Sequence, residues 1–222
     1  MPNLKNLTKH SKAFTMLELV FVIVVIGILA ALALPRIDRD LRQEAGDNIL
    51  SAIRYTQHLA LNDDKTDPFD LQWQKELWQI QFSTTTSTGY LFYVIGSDVD
   101  HSGGATGSLQ KIETAIDPFN GKYFYHLNTD PEIQDGESPN LLIGKKYGVS
   151  AVTQSGGCSN QKIAFDHIGR PYDGVGTLTN KYESYMQSDC NLTFTFLDGS
   201  DDLVISIAKE TGYAYIVGQE DS

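Results

Sequence analysis

Apolar residues near the N-terminus form one long run, and a single charge stands at its edge. From residue 19 to residue 34 no side chain is polar, and Glu18 directly precedes this run. An α-helix rises about 1.5 Å per residue, so the run covers most of a hydrocarbon core about 30 Å thick. The pattern predicts a helix that enters a membrane. A carboxylate there is costly, which makes Glu18 a candidate functional residue.

Beyond Pro35 the apolar positions become periodic and predict that the helix continues to Leu61. They recur at steps of one, three and four, which places them on one helical face. These positions are Ile37, Leu41, Ala45, Ile49, Ala52, Ile53, Thr56 and Ala60. Polar residues 62–64 and then Asp67-Pro68 end the helix. The sequence thus predicts one long helix whose second half is amphipathic.

From about residue 70 the pattern changes to short β segments that Gly, Asn and Asp separate. They are rich in aromatic and β-branched residues, which pleated sheets prefer. The predicted strands are residues 77–82, 90–95, 123–127, 141–143, 147–152, 162–165, 192–197, 203–208 and 213–217. The predicted fold class is therefore α+β, with a long N-terminal membrane and stem helix packed on a C-terminal antiparallel β-sheet head.

The distribution of charge predicts on which side of the membrane each end of the chain lies. Lys5, Lys9 and Lys12 precede the apolar run without any acid, which predicts that the N-terminus stays cytoplasmic and the rest faces outward. Residues 1–13 carry three lysines and no acid, so the net charge of the chain without them is −14 instead of −11. So acidic a chain disfavours nonspecific attraction to nucleic acid.

Composition alone leaves two interpretations of the apolar run. A secretory signal peptide is one, with residues 31–33 as its small-x-small cleavage site, and an uncleaved N-terminal anchor is the other. Glu18 and the length of the run are unusual for a signal peptide.

Residues 12–18, Lys-Ala-Phe-Thr-Met-Leu-Glu, followed by an apolar helix, resemble the N-terminus of type IV pilin-like proteins. This family comprises pilins, minor pilins and the pseudopilins of type II secretion. The resemblance implies that a prepilin peptidase cuts between Ala13 and Phe14 and that Phe14 becomes N-methylated. Ala13 departs from the Gly that the family usually has. The assembly residues implied by the resemblance are Glu18, Gly27 and Pro35.

The same resemblance implies the organisation of the chain. Residues 1–13 are the prepilin leader, 14–35 the transmembrane or filament-core half of the helix, 36–62 the amphipathic stem, and 63–222 a periplasmic β-rich head. The protein then crosses the bacterial inner membrane once. Its expected partners are the prepilin peptidase, other pilins or pseudopilins, and an inner-membrane assembly platform. Between neighbouring subunits, Glu18 of one chain neutralises the Phe14 amine of the next and so sets their register.

Two further segments bear on the subtype. Residues 162–171 and 208–217 are similar to segments of H-type minor pseudopilins and related minor pilins, whose heads carry a β-sandwich and end on two strands around a Thr-Gly turn. Residues 117–125 are similar instead to a segment of major pseudopilins. The favoured interpretation is a minor pseudopilin of a type II secretion pseudopilus that drives protein export. The alternative is a minor pilin of a type IV pilus or DNA-uptake filament with a binding head.

Cys158 and Cys190 are the two cysteines of the chain, and both lie in the predicted head. Outside the cytoplasm paired thiols usually oxidise, so we predict a disulfide between them. Two buried free thiols and a metal site without further ligands remain as alternatives.

Asp98, Asp100 and Ser102, followed by Gly103, have the spacing with which oxygen ligands open a calcium loop. The twelfth position is Leu109, where such a loop has Glu. Some major pseudopilins hold calcium in an acidic loop of the head. The three residues are therefore a candidate calcium site, and an ordinary polar turn is the alternative that the missing Glu favours. No other cofactor is expected. No enzymatic activity is expected either, because the sequence has neither an HExxH motif nor a nucleophile elbow.

Overall fold

The computed structural model describes residues 15–101, 109–175 and 184–220, with the backbone alone for residues 31–40. The chain forms two compact units, one up to residue 40 and the other from residue 41 onward. Helix α1 (Met16–Leu61) begins in the first unit and ends in the second. We call the second unit the head unit. The domain boundaries of the sequence analysis stay predictions.

The described residues of the head unit form two antiparallel sheets of four strands, which confirms the α+β class and gives a pilin-like architecture. The strand order is β2-β1-β4-β5 in the first sheet and β3-β6-β7-β8 in the second. The strands are β1 (Trp78–Thr84), β2 (Leu91–Gly96), β3 (Val149–Gly156), β4 (Lys162–Phe165), β5 (Pro171–Asp173), β6 (Cys190–Phe196), β7 (Leu203–Ile207) and β8 (Ala214–Ile216). A short helix α2 (Ile143–Tyr147) precedes β3, and 3-10 turns occur at Trp73–Glu76 and Lys111–Glu113.

One face of the second half of α1 is buried in the core of the head unit, as the periodicity predicts. Ala45, Ile49 and Ile53 have no exposed surface. Gly46 permits a close approach to the second sheet, since a Cβ there would lie 3.0 Å from Ile216 Cδ1. Leu41, also assigned to this face by the sequence pattern, is 39% exposed because it lies where the head unit begins.

The two sheets share one apolar core. Along β6 buried and half-buried residues alternate, the period of a strand with one covered face. Phe194 of β6 meets Phe82 of β1 edge-on, with ring centroids 5.4 Å apart. This contact joins a central strand of one sheet to a central strand of the other.

Two predicted strands were wrong. Residues 123–127 and 141–143 form no strand; they lie along the outer edge of β2 instead. Ile95 N–H donates to the Phe124 carbonyl at 3.2 Å, and Tyr93 N–H donates to the Leu141 carbonyl at 3.2 Å. Phe124 and residues 141–143 are buried there, and single hydrogen bonds take the place of a ladder. The sequence analysis also missed β5 (Pro171–Asp173), whose three residues begin with a proline that only an edge strand tolerates.

Gln57 of α1 holds two turns of the head unit together. Its Nε2 donates to the Gly169 carbonyl at 3.0 Å and to the Thr211 carbonyl at 2.7 Å. These turns join β4 to β5 and β7 to β8. Gly212 has a φ of 65°, and a Cβ at this position would lie 2.1 Å from the Gly169 carbonyl oxygen. The predicted Thr-Gly turn is therefore present, and its glycine is required by both φ and space.

The Cys158–Cys190 disulfide is present, which fits the prediction. It links the end of β3 to the first residue of β6 with a Cα–Cα distance of 5.2 Å, within the usual range. Both cysteines are at most 4% exposed. The bond therefore fastens the end of the second sheet from inside the core.

Replacing both cysteines by alanine should lower the free energy of unfolding of the head unit by about 3–4 kcal/mol, because the bond closes a loop of 32 residues. Urea unfolding of the detergent-solubilised full chain measures this through the fluorescence of Trp73 and Trp78, the only tryptophans. The wild-type protein with reductant should match the variant. Equal midpoints for oxidised wild type and variant would contradict the expectation.

Gly212→Ala should lower the free energy of unfolding by about 2–4 kcal/mol, since it adds a clash with Gly169 to an unfavourable φ. Gly199→Ala is the matched control. Gly199 also has a positive φ, 74°, but nothing lies within 4 Å of an added Cβ. The control should lose only about 1 kcal/mol. The same urea titration compares them, and equal losses would show that the contact with Gly169 is unimportant.

Candidate functional site

The N-terminus of α1 is closed by a pair of reciprocal hydrogen bonds. Glu18 N–H donates to Thr15 Oγ1 at 3.2 Å, and Thr15 N–H donates to Glu18 Oε2 at 3.5 Å. This is the capping box of the T-x-x-E pattern, in which two otherwise unpaired amides at a helix start find acceptors. Glu18 was predicted only as an assembly residue, although the Thr15-x-x-Glu18 spacing in the sequence also indicates a capping box.

The first turns of α1 present apolar side chains in every direction. Each large apolar side chain from residue 16 to residue 29 is at least 36% exposed. Gly27 lies within this stretch, and nothing is within 4 Å of an added Cβ there. Within the described part of the chain, no helix combines the length and the apolar character needed to cross a membrane.

Several predicted site residues lie outside what the structure describes. Ala13, Phe14 and Ser102 are not among the described residues, and for Pro35 only the helical backbone is described. Their predicted roles in processing, assembly and calcium binding stay predictions.

An acidic cluster follows β2, where the sequence spacing suggested calcium ligands. One carboxylate oxygen each from Asp98, Asp100 and Glu113 lie within 4.8 Å of one another. Glu113 comes from the 3-10 turn Lys111–Glu113, and its Oε1 accepts the Asp100 N–H at 3.2 Å. Glu113 was not predicted from the sequence, because a Ca²⁺ loop that begins at Asp98 has its closing glutamate at position 109.

Asp98 is the unusual member of this cluster. Its side chain is buried, the residue being 1% exposed, and neither carboxylate oxygen has a hydrogen-bond partner among the described residues. Within the same part of the chain, Lys162 Nζ on β4 is likewise buried without a hydrogen-bond partner. Burial lowers the pKa of Lys162, and the negative charge of Asp98 partly offsets this. A buried carboxylate without hydrogen-bond donors is costly, so Asp98 favours a neighbouring cation, and Lys162 is one that already interacts with its charge.

A second group of possible ligands lies beside the first along the chain. His101 Nε2 is 3.1 Å from Glu76 Oε1 and 4.0 Å from Asp70 Oδ2. His101 has a φ of 55°, in the left-handed region that non-glycine residues seldom adopt. All three residues are half-buried, and among the described residues none of their side-chain oxygen or nitrogen atoms is buried without a partner, so this group lacks the feature that marks Asp98.

The segment 162–171 is organised by one buried carboxylate. Asp166 Oδ1 accepts the N–H groups of Ile168 at 3.1 Å and Arg170 at 2.8 Å. Its Oδ2 accepts from Arg170 Nε at 2.8 Å and from the Tyr172 hydroxyl at 3.2 Å. Burial and the Asp166 charge together raise the pKa of Tyr172 to about 12. Asp166 and His167 therefore belong to the turn between β4 and β5.

Lys145-Lys146 is the one adjacent pair of lysines in the chain, and both side chains interact with other residues of the chain. Lys145 forms an ion pair with Glu132. Lys146 Nζ donates to Asn140 Oδ1 at 3.1 Å and lies 5.0 Å from the Tyr147 ring centre. These lysines are therefore not a free basic patch for phosphates.

Comparison with known proteins bears on the N-terminus only. A family model described as the prokaryotic N-terminal methylation motif matches residues 8–34. No curated protein and no solved structure matches the chain. The match contains the capped helix start and the apolar run. It supports a type IV pilin-like protein, a subunit of a type II secretion or type IV pilus system that prepilin peptidase processes and that assembles with other pilins.

Proposed function

We propose that this chain is a minor pseudopilin, a structural subunit of the pseudopilus of a type II secretion system. The observation that carries the proposal is the methylation-motif match over residues 8–34, with Glu18 at the start of an uncovered apolar helix. A helix that is apolar all round requires a covering environment, which lipid supplies before assembly and neighbouring helices supply after it.

Prepilin peptidase cleaves between Ala13 and Phe14, and the new amino group of Phe14 is positively charged at neutral pH. In the filament, Glu18 of one subunit neutralises the Phe14 amine of its neighbour. Each charge is costly in an apolar environment, so only the register that pairs them is favoured. The subunit waits in the inner membrane with its head in the periplasm, and the assembly platform adds it to a filament whose growth moves protein outward.

The head supports the minor subtype and the secretion system. Two antiparallel sheets, ending on β7 and β8 around Thr211-Gly212, agree with what the H-type resemblance implies. DNA uptake requires a basic surface, yet the net charge is −11 and Lys145 and Lys146 are engaged within the chain. These features favour secretion over the alternative, a minor pilin of a type IV pilus or DNA-uptake filament.

We further propose that the cluster of Asp98, Asp100 and Glu113 holds a calcium ion. The donor set fits, because Ca²⁺ takes carboxylate oxygens, and the orphaned oxygens of buried Asp98 supply a ready ligand. The ion would fasten the chain after β2 to the 3-10 turn Lys111–Glu113 and neutralise part of their negative charge.

Glu18→Gln should abolish assembly without disturbing the helix start. Glutamine at this position still completes a capping box, whereas a neighbour's Phe14 amine loses its counter-ion, which costs about 3–5 kcal/mol. The variant should accumulate in the membrane fraction as a mature chain beginning at Phe14, and fail to co-purify with the filament's major subunit. Intact mass, fractionation and pull-down in cells of the source organism measure these three quantities.

Thr15→Ala is the matched control for Glu18→Gln. It removes the capping hydroxyl, at a cost of about 1 kcal/mol to the helix, and keeps the carboxylate, so assembly should persist. Normal incorporation of Glu18→Gln would show that the carboxylate does not set the register. A mature chain that begins near residue 34 would indicate ordinary signal peptidase and overturn the filament assignment.

Calcium should raise the melting temperature of the full chain in detergent, relative to the same protein in EDTA. At one hundred times the dissociation constant the stabilisation is about 2.7 kcal/mol. Asp98→Asn should remove this difference, whatever its own effect on stability. Asp198→Asn, in the exposed loop after β6, should leave it unchanged. Identical melting temperatures of the wild type in calcium and in EDTA would contradict calcium binding.

A further inference from the structure

β3 (Val149–Gly156) lies at the edge of the second sheet. It pairs with β6 alone, and no backbone hydrogen bond of the described residues reaches its other side. Ala151, Thr153 and Ser155 are exposed. An open edge of this kind is a template on which another strand can add.

The outward-pointing backbone groups of β3 can be identified from the ladder. Just beyond it, Gly157 N–H donates to the Asp189 carbonyl at 2.9 Å, and the register continues as Thr153 opposite Thr193. Hydrogen-bonded pairs alternate along antiparallel strands, so Thr153 bonds to β6. The N–H and C=O groups of Val152 and Gln154 therefore point away from the sheet.

The other sheet edges are covered or short. On the outer side of β2, Ile95 N–H and Tyr93 N–H donate to the carbonyls of Phe124 and Leu141. β5 (Pro171–Asp173) and β8 (Ala214–Ile216) have three residues each, against eight in β3. Proteins often avoid pairing between sheet edges by keeping their edge strands short, whereas β3 is long.

The composition of β3 also lacks the residues that usually prevent an edge strand from pairing. Its residues are Val-Ser-Ala-Val-Thr-Gln-Ser-Gly, without a charge or a proline, in a chain whose net charge is −11. Natural edge strands commonly carry lysine or proline to prevent pairing. Two copies of so acidic a chain repel one another, so a neutral strand is where their backbones can approach most closely.

We propose that β3 pairs edge to edge with β3 of a second copy of this chain, as two antiparallel strands related by a two-fold axis. With the axis at Thr153, the outward groups of Val152 meet those of Gln154 in the other copy, and both hydrogen bonds form in each pair. Ala151 then stands opposite Ser155, and Thr153 opposite its own counterpart.

This register is chemically self-consistent. All the opposing side chains are small or neutral, and a threonine pair across two strands is favourable. The two sheets β3-β6-β7-β8 join into one that crosses the dimer. A two-fold contact closes on itself and does not propagate, so this pair is a contact distinct from the proposed head-to-tail filament.

Thr153→Cys tests the pairing in the full chain, either in native membranes or after detergent solubilisation. The native cysteines are bonded to each other, so the added thiol is the only free one. In the proposed register two copies place it in a non-hydrogen-bonded pair, with Cα atoms about 4.5 Å apart, within disulfide range. Under mild oxidation most chains should become covalent dimers. Glu210→Cys, exposed in the β7–β8 turn across the sheet from β3, should stay at least tenfold lower.

Gln154→Pro in the Thr153→Cys background supplies the decisive comparison. Proline removes the outward N–H of residue 154 and leaves the ladder with β6 intact, so cross-linking should fall at least tenfold. Gln154→Ala keeps the N–H and should cross-link fully. Thr153→Lys, which sets like charges opposite each other, gives a second measure: its mass by light scattering should be that of a monomer, against a dimer for the wild type. A monomeric wild type, Thr153→Cys no better than Glu210→Cys, or cross-linking that survives Gln154→Pro would each overturn the proposal.

Discussion

The head unit depends on the burial of one face of α1 between its two sheets. Ile49 and Ile53 are fully buried, and each such side chain contributes about 1.5–3 kcal/mol. Gly46 brings the helix close to β7 and β8, while Asn48 accepts a hydrogen bond from the Tyr93 hydroxyl on β2. Both sheets thus contact α1, the second at Gly46 and the first at Asn48.

Around this core, buried carboxylates organise the loops that no sheet ladder reaches. Asp117 has no exposed surface, and its Oδ2 accepts hydrogen bonds from Asn120 at 2.8 Å and Asn140 at 3.1 Å. Asp166 does the same for the turn between β4 and β5. Asp98 is the exception, because no donor in the described part of the chain reaches its oxygens. That contrast is what separates a structural carboxylate from a candidate ligand in this head.

Glu18 illustrates how one carboxylate can serve two requirements. Within the chain it completes the capping box with Thr15, and the longer of the two bonds, at 3.5 Å, leaves the carboxylate weakly held. In the proposed filament the same group meets the amine of a neighbour. The cap aligns the side chain at the helix start before assembly, and pairing between chains supplies the stronger, charged interaction.

The sequence by itself determined the elements whose signals are local. Apolar periodicity predicted α1 to Leu61, and aromatic and β-branched composition predicted strands near the positions of all the observed strands except β5. Tertiary structure decided what lies between them. Residues 123–127 have strand composition, yet they cover the edge of β2, because a β segment needs a neighbour as well as a propensity. Asp98 and Asp100 follow from spacing, but Glu113 joins them only through the fold, since contact between a loop and a distant turn has no periodicity to detect. For the same reason the sequence of β3 does not reveal that it is an edge strand. Which strand lies at the edge of a sheet is decided by the order in which all the strands pair.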